Sequence, residues 1–264
     1  MDIKSLLNVN VVTLVKNVLN LRKKIDTSKL PSLGLFYNDD FEIYINRAKI
    51  EDIIEYEYNF IKDDIGIIIQ KVKKVVENNT KLSSNYTFDD IKSIDVIFIF
   101  LEIVAYTNGN SINIKYTDEE SGEETSIDFS EKTFNYFNID KNTKKLYDRE
   151  NKCFEMNGYK YTLPTIGIEN SLTNFLIYKS ASPDAERYNN YFYDFTYFLS
   201  NKNKISFDEI ENLIQIFNYE LDTNESLKIK EVLHKFQPLQ RYTLIKNGRV
   251  IDINSKIDLE KIWK

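Results

Sequence analysis

The groups with the most chemistry to offer are one cysteine, Cys153, and one histidine, His234, in a chain of 264 residues. A Cys–His nucleophile would need the two side by side, so that the imidazole could take the thiol proton. Cys153 lies in Cys153-Phe154-Glu155-Met156, whose alternation predicts a strand, and His234 lies in a helix with one apolar face. A small buried hydrophobe and a surface or half-buried imidazole account for them without catalysis. A single Cys excludes an internal disulfide and a multi-thiolate metal site, and a single His excludes a multi-histidine site. Among the carboxylates, Asp118, Glu119, Glu120, Glu123 and Glu124 crowd one turn and could gather a cation such as calcium. Their spacing does not fit an EF-hand loop, and a solvated hairpin tip explains them. Asp89 and Asp90 fit the N-terminus of a helix, and Asp63 and Asp64 a surface pair. The seven glycines are scattered, with no phosphate loop and no Gly-x-Ser-x-Gly elbow. The expectation is a chain that is not an enzyme, with no cofactor and no metal site.

Charge and composition narrow the remaining classes. The net charge is −6 and no long Lys/Arg run occurs, which argues against general nucleic-acid binding. Arg22-Lys23-Lys24 is short and falls at a predicted helix end, where it complements the dipole. No apolar run reaches the length of a membrane span, and the N-terminus does not read as a signal peptide, so synthesis in the cytoplasm is expected. Hydrophobic residues at 42% and charged residues at 29% predict a folded domain. Aromatic residues at 14%, mostly Tyr and Phe, suit both a core and a protein–protein surface. Tyr188, Tyr191, Phe192, Phe195 and Phe198 share one predicted helix face, and without interleaved basic residues they read as core or interface.

The periodicity predicts a mostly helical body with several small antiparallel β-hairpins, an α+β fold. Leu7, Val11, Leu14, Val18 and Leu21 alternate in steps of four and three, giving a helix seam over residues 4–24. That helix either packs on its own domain or binds a partner. A strand is predicted over 41–46, then helix over about 51–79, with Gly66 a candidate break. A buried helix follows from a Thr87 cap through Val96-Ile97-Phe98-Ile99-Phe100-Leu101 to a stop at Asn108-Gly109. Hairpins are predicted at 112–129, at 153–163 around Asn157-Gly158, and at 242–253 around Asn247-Gly248. Further helices are expected at 167–179, 183–199, 206–219 with a Ser206–Glu209 capping box, 223–236 and 258–263.

The segment Leu30-Pro31-Ser32-Leu33-Gly34-Leu35-Phe36-Tyr37 is a pinned, extended entry into the first strand. Pro31 fixes its own φ and biases Leu30 towards extended backbone, while Gly34 admits a left-handed one. This segment resembles the Leu-Pro-Ser-x-Gly opening of the baseplate hub and hub-assembly proteins of T-even-type contractile-tailed phages. Three further stretches resemble that family in order. They are the strand-to-acidic-helix passage at 42–55, the Asp95-led apolar helix with its following hairpin to Phe129, and the hairpin at 241–253 closing on Ile262-Trp263. The hairpin tips lack the cysteine pairs of the family, and the 4–24 helix precedes the point where the family starts.

The resemblance implies a virion protein of the tail baseplate, made in the host cytoplasm, that binds other baseplate or tail proteins in a hetero-oligomeric assembly. It implies no nucleic-acid or membrane partner. On this reading residues 1–25 are an amphipathic extension and 26–264 the hub-like domain. Leu7, Val11, Leu14, Val18, Leu21, Leu30, Pro31, Gly34, Phe36 and Tyr37 are then the candidate partner-binding residues. Two alternatives stand beside it: a tail-assembly chaperone absent from the finished particle, and a carboxylate- or metal-dependent hydrolase.

Overall fold

A computed structural model of the chain describes residues 22–57, 65–117, 121–129, 133–134, 136–137, 139–180, 194–199, 202–217, 221–236, 243–252 and 262–263. These residues form an α+β fold with six α-helices and small antiparallel sheets of two or three strands. In chain order they are β1 Lys23–Ile25, β2 Ile43–Ile45, α1 Ile50–Glu57, α2 Ile65–Asn79, β3 Thr80–Leu82, α3 Val96–Thr107, β4 Asn113–Thr117 and β5 Glu124–Asp128. There follow β6 Tyr147–Asp148, β7 Cys153–Met156, β8 Tyr159–Tyr161, α4 Ile166–Lys179, α5 Phe207–Gln215, α6 Thr223–Phe236, β9 Thr243–Lys246 and β10 Arg249–Asp252.

α3 is the axis of the main core. It is apolar around nearly its whole surface, with Glu102 its one charged residue, and Val96, Ile97, Phe98, Ile99, Phe100 and Leu101 are all buried. A helix without a polar face must be covered all round. α2, the β1–β2–β3 sheet and the β4–β5 hairpin supply its cover, through Val72, Val76, Ile43, Ile45, Ile114 and Ile127. Trp263 adds an edge-on contact to Phe100, with ring centroids 6.0 Å apart. A second, largely aromatic core lies on the β6–β7–β8 sheet, where Phe137, Phe154, Tyr161 and Phe236 meet. A third joins α4 and α5 through Leu172, Phe175, Phe195 and Ile210. Each fully buried side chain of this size contributes about 1.5–3 kcal/mol relative to exposure.

The three predicted hairpins form as expected, and their turns follow from local chemistry. Asn157 and Gly158 have φ of 56° and 81°, and Asn247 and Gly248 have 52° and 77°, the paired positive values of a tight hairpin turn. Ile114 faces Ile127 across β4–β5, as the alternation requires. The Ser206–Glu209 box caps α5 from both directions: Glu209 N donates to Ser206 Oγ at 3.3 Å, and Ser206 N donates to Glu209 Oε2 at 3.0 Å. Ser206→Ala is expected to lower stability by about 1 kcal/mol, read as a shift in the urea midpoint at unchanged slope.

Several boundaries differ from expectation. Lys23 and Lys24 lie in β1 and not at a helix end, because Ile25 is buried and the segment pairs with β2. The basic cluster serves strand-side ion pairs: Lys23 Nζ is 2.6 Å from Glu102, and Lys24 pairs with Glu42. The division of the chain at residue 25 therefore cuts a sheet. Gly66 sits inside the first turn of α2, and β3 follows that helix directly. The helix expected from Thr87 is two 3-10 turns, Phe88–Asp90 and Ser93–Asp95, before α3 begins. Its early part is diverted into extended backbone, since Ser93 N donates to Pro164 O at 3.0 Å and Ile166 N to Ile91 O at 2.8 Å. Asp194–Phe198 is a 3-10 turn whose Tyr197 O accepts from Thr162 N, and not the end of an α-helix. The remainder of that expected helix, the 4–24 helix up to residue 21, and most of the 258–263 helix lie outside the described residues.

Candidate functional site

Asp95 closes the second 3-10 turn, immediately before α3, and is fully buried. Its Oδ1 accepts from Ser32 N at 2.8 Å and its Oδ2 from the Tyr37 hydroxyl at 2.7 Å. The Tyr37 oxygen in turn accepts from Lys92 N at 2.9 Å. One carboxylate thus ties both ends of the 32–37 turn to the lead-in of α3. Burial pushes the Asp95 carboxyl up to about 6, against the opposing pull of the Tyr37 and Ser32 bonds. Burial beside that carboxylate also drives the Tyr37 phenol well above its ordinary range.

The node forms one wall of a cavity of about 260 Å³. Phe36, Tyr37, Phe41 and Tyr86 give it an aromatic side, with Tyr37 and Phe41 stacked at 4.1 Å. Lys92, Lys152 and Lys202 give it a cationic one. Five separate parts of the chain meet here: the turn from Phe36 to Phe41, the strip from Tyr86 to Lys92, the β6–β7 turn carrying Lys152, the segment after β8 with Thr162 and Thr165, and the loop at Lys202-Asn203. Lys152 adopts φ of +51°, a left-handed backbone uncommon outside glycine and asparagine, and pairs with Asp39 at 2.5 Å. Lys202 pairs with Glu209.

Lys92 differs from the other two. It is buried, and among the described residues its Nζ has neither a carboxylate in ion-pair contact nor a hydrogen-bond acceptor. Both nearby carboxylates are already engaged. Asp95 serves Ser32 and Tyr37, while Asp90 Oδ2 accepts from Thr87 N at 2.7 Å and Asp90 Oδ1 from Asn203 Nδ2 at 2.9 Å. Burial pulls the Lys92 amine down to about 8, with Asp95 and Asp90 opposing at longer range.

The expected partner-binding residues have separate fates. Leu7, Val11, Leu14, Val18 and Leu21 lie outside the described residues. Leu30, Pro31, Phe36 and Tyr37 are buried within this chain, so their side chains present little surface to a neighbour. Leu30 and Tyr37 belong to the α3 core and Phe36 to the aromatic core, so the segment staples one to the other. Gly34 is needed twice over: its φ is +70°, and a Cβ there would sit 3.0 Å from Thr27 O. Cys153 is buried on β7, where burial raises its thiol, while His234 is exposed on α6. Among the described residues no three His, Cys, Asp or Glu side chains converge as metal ligands, and no helix is long and apolar enough to cross a membrane.

Sequence reasoning passed over Lys92, Lys152 and Lys202, which are three unremarkable lysines among 35 basic residues. The available signal was Lys92 and Asp95 standing just ahead of six consecutive apolar residues, where burial of both charges follows. No protein-family model matches the chain, and neither a curated protein nor a solved structure shows significant similarity to it.

Proposed function

We propose that this chain is a structural component of a contractile-tail baseplate, in the hub or inner baseplate, and that it acts by protein–protein contact. The observation that carries the contact reading is an exposed apolar cluster where α4 meets α5. Ile177 and Tyr178 are each 66% exposed, and Tyr178 lies against the partly exposed Phe207, with ring centroids 5.5 Å apart. Ile50 and Ile54, one turn apart on α1, form a second exposed apolar pair. Large apolar side chains grouped on a surface mark contact sites. The baseplate assignment rests on the resemblance, and it is supported by the order of elements. The pinned turn, the strand into an acidic helix start, the Asp-led apolar helix, the hairpin after it and the late hairpin stand in the expected succession.

Mass spectrometry of purified particles tests the assignment. The chain is expected among the tail proteins. Recovery from tail-assembly intermediates alone would make it an assembly chaperone, and absence from both would overturn the reading. The contact surface has its own test. Ile177→Glu/Tyr178→Glu is expected to change folding stability by no more than about 0.5 kcal/mol per substitution, as at exposed sites generally. The same variant is expected to lose incorporation into particles. Full incorporation would remove this face from the interface.

A further inference from the structure

We propose that the cavity beside the Asp95 node binds a small ligand bearing a phosphate or carboxylate group, with the buried amine of Lys92 as its principal contact and Lys152 and Lys202 as more exposed ones. The site goes beyond the docking role and does not depend on it.

An ammonium largely shielded from water is disfavoured unless it is paired, and Lys92, 8% exposed and lining the cavity, has no carboxylate contact among the described residues. The acids that could have paired with it are committed to a backbone N–H, a phenol, a threonine and an asparagine amide. Its amine titrates at about 8, so at neutral pH it is mostly charged and carries unused donors. The nearest answer to that deficit is an anion in the cavity that Lys92 lines.

The surroundings fit that chemistry. The chain as a whole carries a net charge of −6, yet three lysines converge on this concavity, with Asp90 the one acid among the described residues lining it. Lys152 and Lys202 hold partners at the surface, Asp39 and Glu209, which water can replace when an anion recruits either amine. A cavity of about 260 Å³ admits a small molecule and not a chain segment of several residues. The aromatic side formed by Phe41 and Tyr86 offers contact to an apolar or flat ligand body.

The full chain is titrated with inorganic phosphate and, separately, with succinate, at constant ionic strength in chloride. Melting temperature is read for the wild type and for Lys92→Met. Phosphate stabilises many proteins by exclusion from their surfaces, and the difference between the two proteins removes that common effect. A saturable rise present in the wild type and lost in Lys92→Met is expected. A response to phosphate alone assigns a phosphorylated ligand, and a response to succinate alone a carboxylate. Nitrogen NMR of the Lys92 amine supplies a readout that folding alone does not move: the bound anion is expected to raise its midpoint above about 8. Lys152→Gln and Lys202→Gln are each expected to weaken binding about threefold with little change in stability, which keeps the test open should Lys92→Met fail to fold. No saturable response to either anion, or an equal response in the Lys92 variant, overturns the proposal.

Discussion

Asp95→Ala is expected to lower folding stability by about 3 kcal/mol, because it leaves two buried donors, Ser32 N–H and the Tyr37 hydroxyl, without their acceptor. Relief of a desolvated charge offsets part of that loss, so the cost stays below the sum of two orphaned donors. Asp95→Asn is milder, at about 2 kcal/mol, since one acceptor oxygen survives and the amide nitrogen meets a donor. Tyr37→Phe removes the same phenol–carboxylate bond from the other side. The double variant Tyr37→Phe/Asp95→Asn is therefore expected to cost less than the two single changes added. Urea unfolding of the four proteins checks this, and strict additivity would show that the two groups do not share a bond.

The same residue leaves a mark on pH dependence. Its folded-state value, about 6, lies above the ordinary 3.8, so the unfolded chain ionises first as pH rises. Stability linked to Asp95 is fully present below the ordinary value and is lost as pH rises through about 6. The swing amounts to about 3 kcal/mol, at 1.36 kcal/mol per unit. Asp140 and Glu209 act in the opposite sense: both are held down to about 2, so their contribution is lost only in stronger acid. The comparison that isolates Asp95 is the wild type against Asp95→Asn. Their stability gap is expected to widen as pH falls from 7 to about 4. A gap independent of pH would contradict a buried, raised carboxyl at this position.

Gly167→Ala is the second large effect, and here the sequence and the tertiary structure predict opposite signs. Gly167 lies in the first turn of α4, and by helix propensity alone alanine gains up to about 1 kcal/mol. In the folded chain a Cβ there would stand 2.0 Å from Asn203 O and 2.8 Å from the Asp89 Cβ. Neither is the free end of a flexible side chain, so either the loop at 203 or the 3-10 turn at 89 must retreat. The expected net cost is about 3 kcal/mol. Denaturant unfolding of the variant decides the sign, and a gain in stability would mean that α4 does not approach that loop.

Much of the local structure was legible because local chemistry decides it. Asn157-Gly158 and Asn247-Gly248 dictate hairpin turns through two consecutive residues that tolerate positive φ. Ser206 and Glu209 fix the start of α5 through bonds within four residues. The apolar run from Val96 to Leu101 announces burial, and it folds as a helix. The lead-in to that helix was misread because Thr87, Asp89 and Asp90 carry good helix-start signals. What overrode them was distant in sequence: the 164–166 segment takes hydrogen bonds from and gives them to residues 91–93. β1 and β3 were missed for a related reason, since three-residue strands carry too little pattern until β2 lies between them.

The sequence by itself determined the fold class, the hairpin turns, the Ser206–Glu209 cap of α5 and the burial of α3, through patterns that span a few residues or one alternation. It also showed that Pro31 and Gly34 constrain the 30–37 segment, but the extended entry it implied folds as a succession of turns, with Leu33 N donating to Leu30 O at 2.7 Å and Leu33 and Gly34 both at positive φ. Only the tertiary structure decided what that segment does. Phe36 and Tyr37 read equally well as docking aromatics, yet Phe36 is buried against Phe137 and Phe154, and the buried Tyr37 hydroxyl bonds Asp95, which lies 58 residues beyond it. The cavity was decided in the same way. Lys92, Lys152 and Lys202 are ordinary lysines until five separated stretches converge on one space, and a convergence of that kind has no period, spacing or motif in the chain.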